Sequence, residues 1–478
     1  MKFSVNLFLA SFFVFLSFLL HSGLRAQKLW TLNDCITYAI ENNLDIKKQL
    51  LNVKVNRANL LQSQLNLLPD LNAGATHVYN WGKTIDQYTN TFAVNEVRSN
   101  SFSIQSNLTV FDGLQKINTM RQKKIDLMAT QYDLGVLEND ISLAVAGFYL
   151  EILMNMELVE IAHNQADISK QQVRRVRQLV DAGAVARGDL LNIEAQATAE
   201  EMQVVENQNR LWISYLSLMQ LIDLPLDTSF RIVKPQLRSV EDQRGILPPE
   251  AIYQYALGNR PEIQSAEMKL ESARRSIAIA RGSQYPIISV GGSWGTGYSG
   301  ASKEVASSSL YMYPIGITRQ TGDTVMGFDY LPTLRTKSFS DQLKDNENKT
   351  LGFYLSIPIF NGWQSRNAIS QAKIYTDMAE HTLQQQKNTL RKSIEQAYTD
   401  ALSAQKKHKA ALSRVDAQEE AYKYAQQKFE VGMITAFDYN TSKKDLTQAQ
   451  LELLQARYDF VFKTTILDFY MGKPISLN

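Results

Sequence analysis

The chain has 478 residues, of which 44% are hydrophobic and 21% charged, with a formal net charge of +2. That length allows roughly two to four ordinary domains, so a sizeable core is within reach. The near-neutral balance lacks the basic surplus of a nucleic-acid protein, and one cysteine, Cys35, leaves no intrachain disulfide framework and no thiolate metal cluster.

Lys2 precedes an apolar run from Phe3 to Leu20, and Ser22, Gly23 and Ala26 then offer small residues for cleavage. This pattern predicts a secretory signal peptide over 1–26. The rival, an inner-membrane anchor, would need a longer run and a basic stop-transfer flank. No later stretch approaches a continuous apolar span, so a second membrane would have to be entered with strands. Cys35 lies well past the run, inside an apparent helix start at Thr31–Asp34, and reads as a buried helix residue.

The first repeat, 27–235, opens with a helix over 31–68. The hydrophobic period then changes from about 3.6 to 2. Leu71, Ala73, Ala75, His77, Tyr79 and Trp81 fall on one face, against Asn72, Gly74, Thr76 and Asn80. On the return, Phe102, Ile104, Leu108 and Val110 alternate with Ser101, Ser103, Gln105 and Asn107. This predicts a β-hairpin over 70–111, with 82–98 as an outward loop. A long helix follows over 113–182, then a turn and a helix over 189–224; no proline occurs from 70 to 224. The two shorter helices together span about 74 positions, roughly 110 Å, which matches the long one.

The second repeat, 236–478, has the same order: helix 248–285, β-hairpin 287–360, long helix 363–431 and helix 438–472. Phe111-Asp-Gly113 recurs as Phe360-Asn-Gly362, and Gly183 with Asp189 recurs as Gly432 with Asp438, always 249 residues apart. Leu68-Pro69 matches Tyr285-Pro286 at a spacing of 217, so the extra 32 residues fall in the second hairpin, read as a longer outward loop near 300–349. Constant spacing over such a distance indicates a tandem duplication. In this hairpin Ile288, Val290, Trp294 and Tyr298 alternate with Ser289 and Ser293, and Leu351, Phe353, Leu355, Ile357 and Ile359 alternate with Gly352, Ser356 and Pro358. Tyr79, Trp81, Trp294 and Tyr298 are read as interfacial girdle residues.

From Trp363 to Val431 there is no glycine or proline, about 69 residues or roughly 100 Å of helix. Its seam, Leu390, Ile394, Ala397, Ala401, Ala404, His408, Ala411 and Val415, follows 4-3 spacing. A seam this rich in alanine buries little per residue and needs neighbours on more than one side. Each strand run has the length of a tilted membrane strand. Four strands cannot close a barrel, and lipid does not tolerate an open edge, so the chain should oligomerise; three copies would supply twelve strands. The expected class is thus mainly α with a transmembrane β part: duplicated long helical hairpins, and four strands per protomer in a trimeric barrel.

LNDCITYAIENN over 32–43, NRPEI over 259–263 and the two Phe-Asp/Asn-Gly junctions resemble the TolC family of outer-membrane efflux proteins, and the resemblance covers residues 29–474. It implies a homotrimer in outer-membrane lipid that extends into the periplasm, a periplasmic adaptor, and an inner-membrane pump of RND or ABC type. It also implies passive efflux or type I secretion without covalent chemistry. The turns holding Gly183, Ala184 and Val185, with Asp189, and Val431, Gly432 and Met433 align with the tips that similar proteins present to adaptors. Asp438 aligns with a carboxylate ring at the periplasmic constriction of well-studied members. Thr441 stands where they place a second acid, and Ile434 where they place a latching arginine, which points to a different latch or a weaker ring. The plainer reading is structural: Gly183 and Gly432 end helices, and Asp189 and Asp438 serve as N-caps.

Gly295-Thr-Gly-Tyr-Ser-Gly300 matches a dinucleotide fingerprint, but no helix or spaced acid follows, so it reads as a strand end and turn. His21, His77, His163, His381 and His408 are scattered without ligand spacing, and 174–177 and 406–409 read as solvated basic helix faces. No nucleophile with base and orienter is visible, so neither enzyme activity nor a cofactor or metal is expected. The alternative from another class is a periplasmic coiled-coil scaffold without a membrane barrel.

Overall fold

The computed structural model describes residues 29–93, 96–235 and 246–476. The predicted signal peptide and the start of the predicted second repeat, 236–245, lie outside them. The helices come in two matched sets. In the first, α1 (Leu32–Asn42), α2 (Leu44–Leu65), α3 (Gln115–Asp181) and α4 (Arg187–Leu221) have 11, 22, 67 and 35 residues. α5 (Pro249–Asn259) and α6 (Pro261–Gly282) open the second, followed by a short α7 (Phe339–Asp345), then α8 (Gln364–Glu430) and α9 (Ala436–Tyr470). Leaving α7 aside, the four lengths repeat: 11, 22, 67 and 35.

The first helix of each half, expected unbroken, is in two pieces. Asn43 ends α1 in an extended conformation, and its Oδ1 then accepts from the amides of Asp45 (2.9 Å) and Ile46 (3.2 Å), starting α2. Arg260 is held extended at φ −80°, ψ 129° because Pro261 follows it, and that proline opens α6 without needing its own N–H.

Two compact units emerge. One gathers residues up to Val55, Leu127–Lys269 and Ala379 onward. Its core sets Cys35, Ala39 and Ile46 against Val145, Tyr149 and Ile152 of α3 and Leu218 of α4, all essentially fully buried. A two-residue parallel pair, β1 (Leu29–Trp30) with β6 (Arg231–Ile232), closes this end, and the Tyr149 hydroxyl donates to the Val233 carbonyl at 2.6 Å. α3 contains a stretch apolar enough to cross a membrane, but 56% of that stretch is buried within the protein, as in a core helix.

The other unit holds Asn56–Asp126 and Leu270–Met378. Here β2 (Asn72–Asn80), β5 (Val97–Phe111), β7 (Ile287–Ser299) and β10 (Asn348–Ser356) form one antiparallel sheet in the order β10-β7-β5-β2. β10 stops ahead of Pro358. Neither expected outward loop is plain loop. Residues 82–98 carry a small hairpin of β3 (Thr84–Ile85) and β4 (Phe92–Ala93). The region 300–349 carries α7 and a long two-stranded ribbon, β8 (Lys303–Ile317) with β9 (Thr324–Thr336). The ribbon escapes a period-2 reading because both of its faces are apolar.

Candidate functional site

At the turn between α8 and α9, the Gly432 amide donates to Phe429 and the Met433 amide to Lys428, at 3.1 and 2.8 Å. Between α3 and α4, Gly183 and Ala184 bond Val180 and Leu179 in the same way, at 2.9 and 2.8 Å. Both glycines sit at φ +74°, where a side chain would be strained, so the paired bonds and the glycine together end each helix.

The helices that follow start differently. α9 begins with Thr435 as N-cap: its Oγ1 accepts from the Asp438 amide at 3.2 Å, and Asp438 Oδ2 accepts from the Thr435 amide and hydroxyl at 3.2 and 2.8 Å. Asp438 is therefore the third helical residue of a capping box, not the N-cap, and it stays exposed. α4 begins at Ala186, which has no side chain to cap with, so Asp189 is not an N-cap either. Thr441 bonds back to the Phe437 carbonyl at 2.9 Å, and Ile434 is half-buried.

Gly183, Ala184, Val431, Gly432 and Met433 are exposed, while Val185 and Asp189 are half-buried. Val185 packs on a small core of Val176, Ile193 and Ala436 that joins the two tips. Beside it, Arg175 pairs with Glu430 at 2.9 Å and Arg177 with Glu194 at 2.5 Å, exposed pairs that add little stability. Val431, Met433 and Phe437 leave 70% or more of their surface in water, so the second tip presents an apolar knob.

One residue that sequence reasoning missed lies just above. Lys443 of α9 is 5% exposed, and its Nζ donates to Ser169 Oγ (2.6 Å), the Gln165 carbonyl (3.2 Å) and both Glu200 oxygens (3.1 and 3.0 Å). Burial pulls the ammonium below the usual lysine range, opposed by the Glu200 charge. A cavity of about 150 Å³ adjoins the pair, lined by Leu158, Ala162 and Leu451 among others. Nearby, the Tyr439 and Tyr422 hydroxyls bond at 2.8 Å, with Phe429 stacked on Tyr439. Nothing in local sequence pairs Lys443 with Glu200, since the contact spans 243 residues of chain.

The sheet has two unlike faces. Pairing sets Ile104 and Phe102 beside Trp294 and Thr296, and Phe353 and Leu355 beside Val290 and Ile288. The opposite face joins Ser101, Ser103 and Gln105 to Gly297, Gly295 and Ser293, with Thr76 bonded to Ser101 at 2.6 Å. The expected girdle is only partly open. Tyr298 is 7% exposed under Phe339 of α7, and Trp294 donates to Glu347 at 2.8 Å. Tyr79 and Trp81 stack at 6.0 Å and stay exposed, Trp81 just beyond the end of β2. Among the described residues no group of three or more His, Cys, Asp or Glu is placed to hold a metal ion.

The profile of the family described as outer membrane efflux protein matches residues 35–223 and 252–473. The chain is 20% identical over 432 residues to the outer membrane efflux protein BepC of Brucella suis biovar 1 (strain 1330), covering 90% of this chain and 83% of that one. It is 22% identical over 425 residues to the outer membrane protein TolC of Escherichia coli (strain K12), covering 85% and 75%. The crystal structure of the Campylobacter jejuni CmeC outer membrane channel superposes with a TM-score of 0.72 at 17% identity, over 92% of this chain and 85% of that one. The mainly helical fold with its β component is thus that of known protomers.

Proposed function

The chain belongs to the outer-membrane efflux protein family, and on that premise we propose that three copies form an outer-membrane exit channel reaching into the periplasm. The observation that carries this reading is the sheet. It exposes Leu351, Phe353 and Leu355 on one face at 63–77%, lines the other mainly with serine, threonine, asparagine and glycine around Tyr354 and Val78, and leaves β2 and β10 as open edges. An apolar outside and polar inside suit a barrel wall, and lipid demands that the edges be paired by neighbouring copies. Three four-stranded sheets make a twelve-stranded barrel.

In this reading an inner-membrane pump of RND or ABC type and a periplasmic adaptor deliver the cargo, which then passes without chemistry. The tips with Gly183, Ala184, Val185, Asp189, Val431, Gly432 and Met433 meet the adaptor; the exposed apolar knob supports this. Asp438 contributes a carboxylate ring at the constriction, which favours cations. Thr441 and Ile434 flank it without adding charge. The latch is the buried Lys443–Glu200 pair, which ties α9 to α4 and, through Ser169, to α3.

Membrane fractionation followed by detergent extraction and intact mass determination tests the proposal. An outer-membrane trimer is expected. A soluble monomer would overturn it and favour the periplasmic scaffold.

A further inference from the structure

The β8–β9 ribbon is the part of the molecule that the channel reading leaves without a role. From Val305 to Thr318 it carries no charge at all; the return has Arg319 and Asp323 at the tip, Asp329 midway, and Arg335 at the root, where it pairs with Glu304. Register puts Leu310 opposite Tyr330, Met312 opposite Phe328 and Pro314 opposite Met326, so these six share one face, which Ser308 continues toward the root. The five other than Pro314 are 48–69% exposed. The reverse face has Tyr311 and Tyr313 stacked at 6.0 Å, but also Asp329. The open apolar surface of the Leu310–Tyr330 face is on the order of 600 Å², at the upper end of the largest patch a monomer ordinarily leaves bare.

The edges say how the ribbon can be covered. Each strand carries a proline, Pro314 and Pro332, and proline is tolerated in a strand where its nitrogen faces the open edge. β8 also has register shifts at Val305/Ser307 and Pro314/Gly316. A further strand laid along either edge would find a missing donor and an uneven ladder, so the ribbon is built against edge pairing. Burial in hydrocarbon is disfavoured as well, because the remaining edge N–H and C=O groups have no partner there. What remains is packing through the faces.

The root decides with what. Gln342 of α7 is 1% exposed. Its amide bonds the Ser299 amide and carbonyl (2.8 and 3.0 Å) and the Lys337 carbonyl (2.9 Å), clamping both ends of the ribbon to the sheet. The Lys337 amide closes the root on the Ser302 carbonyl at 3.0 Å. In a trimer, three ribbons are therefore rooted on one barrel rim, at effective concentrations on the order of millimolar. No diffusing partner is supplied so reliably.

We propose that the three ribbons converge on the trimer axis, each turning its Leu310–Met312–Phe328–Tyr330 face inward against the other two, and so build an apolar collar at the mouth of the barrel. The proposal rests on the trimeric-channel reading. Disulfide trapping in native membranes tests it, since the sole cysteine, Cys35, is fully buried and silent. Phe328→Cys is expected to give roughly tenfold more covalent homodimer on mild oxidation than Asp329→Cys on the reverse face, because only the former would be held at contact distance. Met312→Cys repeats the test from the other strand. Intact mass is measured on the same samples. A trimer in which the two faces cross-link equally or not at all overturns the collar and leaves the channel standing. Adducts to a different protein overturn it likewise. A mass that is not trimeric overturns both.

Discussion

α3 and α8 have the same length and the same place in the two halves, yet they are built for different surroundings. α3 buries fifteen residues, among them Val145, Tyr149, Ile152 and Leu153, and the series continues to Val176 near its tip. α8 buries nine, and the last of them is Ala404. The seam residues Leu390, Ile394, Ala397, Ala401 and Ala404 are covered by this chain, whereas His408, Ala411 and Val415 are only half-covered. Duplicated sequence has thus diverged into one helix that serves as core along its length and one whose last third holds no buried residue. The physical lesson is that equal helix-forming composition sets length, while side-chain volume along the seam sets who the neighbour is.

The second hairpin is held to the first where apolar cover thins, and there the tie is ionic. Removing Lys443 while leaving Glu200 buried should have the largest effect: Lys443→Met is expected to destabilise the helical unit by about 3–5 kcal/mol. Lys443→Met with Glu200→Leu should recover most of that loss, because the cost lies in the unpaired charge rather than in the missing pair. Thermal unfolding of both variants checks this; an unrestored double variant would show that the pair's geometry, and not its neutrality, matters. If the pair is also the latch, the double variant should regain stability and still leak current in planar bilayers.

The next effect sharpens the contrast between the helices. Ile152→Ala, at a fully buried site on α3, should cost about 3 kcal/mol whatever the oligomeric state. Leu412→Ala, on the lower part of α8 and 38% exposed, should cost about 0.5 kcal/mol or less in a dissociated chain and clearly more in the intact complex. Denaturant titration across protein concentrations separates the two cases. Equal costs in both states for Leu412→Ala would mean that the lower third of α8 faces solvent.

These differences were unequally legible in the sequence. The long helices announce themselves by the absence of proline and glycine, and the sheet by alternation such as Leu351, Phe353, Leu355 against Gly352 and Ser356. The break at Arg260 was written in Pro261. The break at Asn43 was not, since Asn43 acts through a side-chain turn that also requires Leu221 as a distant partner for its amide. The β8–β9 ribbon hid because strands with two apolar faces lose the period that marks a strand. At the candidate site, Thr435 and Asp438 stand at capping-box spacing, so the cap could have been read from four residues. Lys443 with Glu200 could not, because proximity between distant helices is a product of the fold.

The smallest effects compare the two tips, where the same turn is followed by unlike helix starts. Thr435→Ala removes the hydroxyl that accepts from the Asp438 amide and should cost about 1 kcal/mol at the start of α9. Ala186→Thr at the matching position of α4 supplies a cap that is missing there and should stabilise by about 0.5–1 kcal/mol. Asp438→Asn separates capping from charge at this point. The amide oxygen can still accept from Thr435, so stability should change by only a few tenths of a kcal/mol. The ring at the proposed constriction, however, would lose every one of its charges. Cation selectivity in planar bilayers should therefore fall in Asp438→Asn and persist in Thr435→Ala. The opposite pattern would mean that Asp438 acts at this site by shaping the helix start and not by presenting charge to the pore.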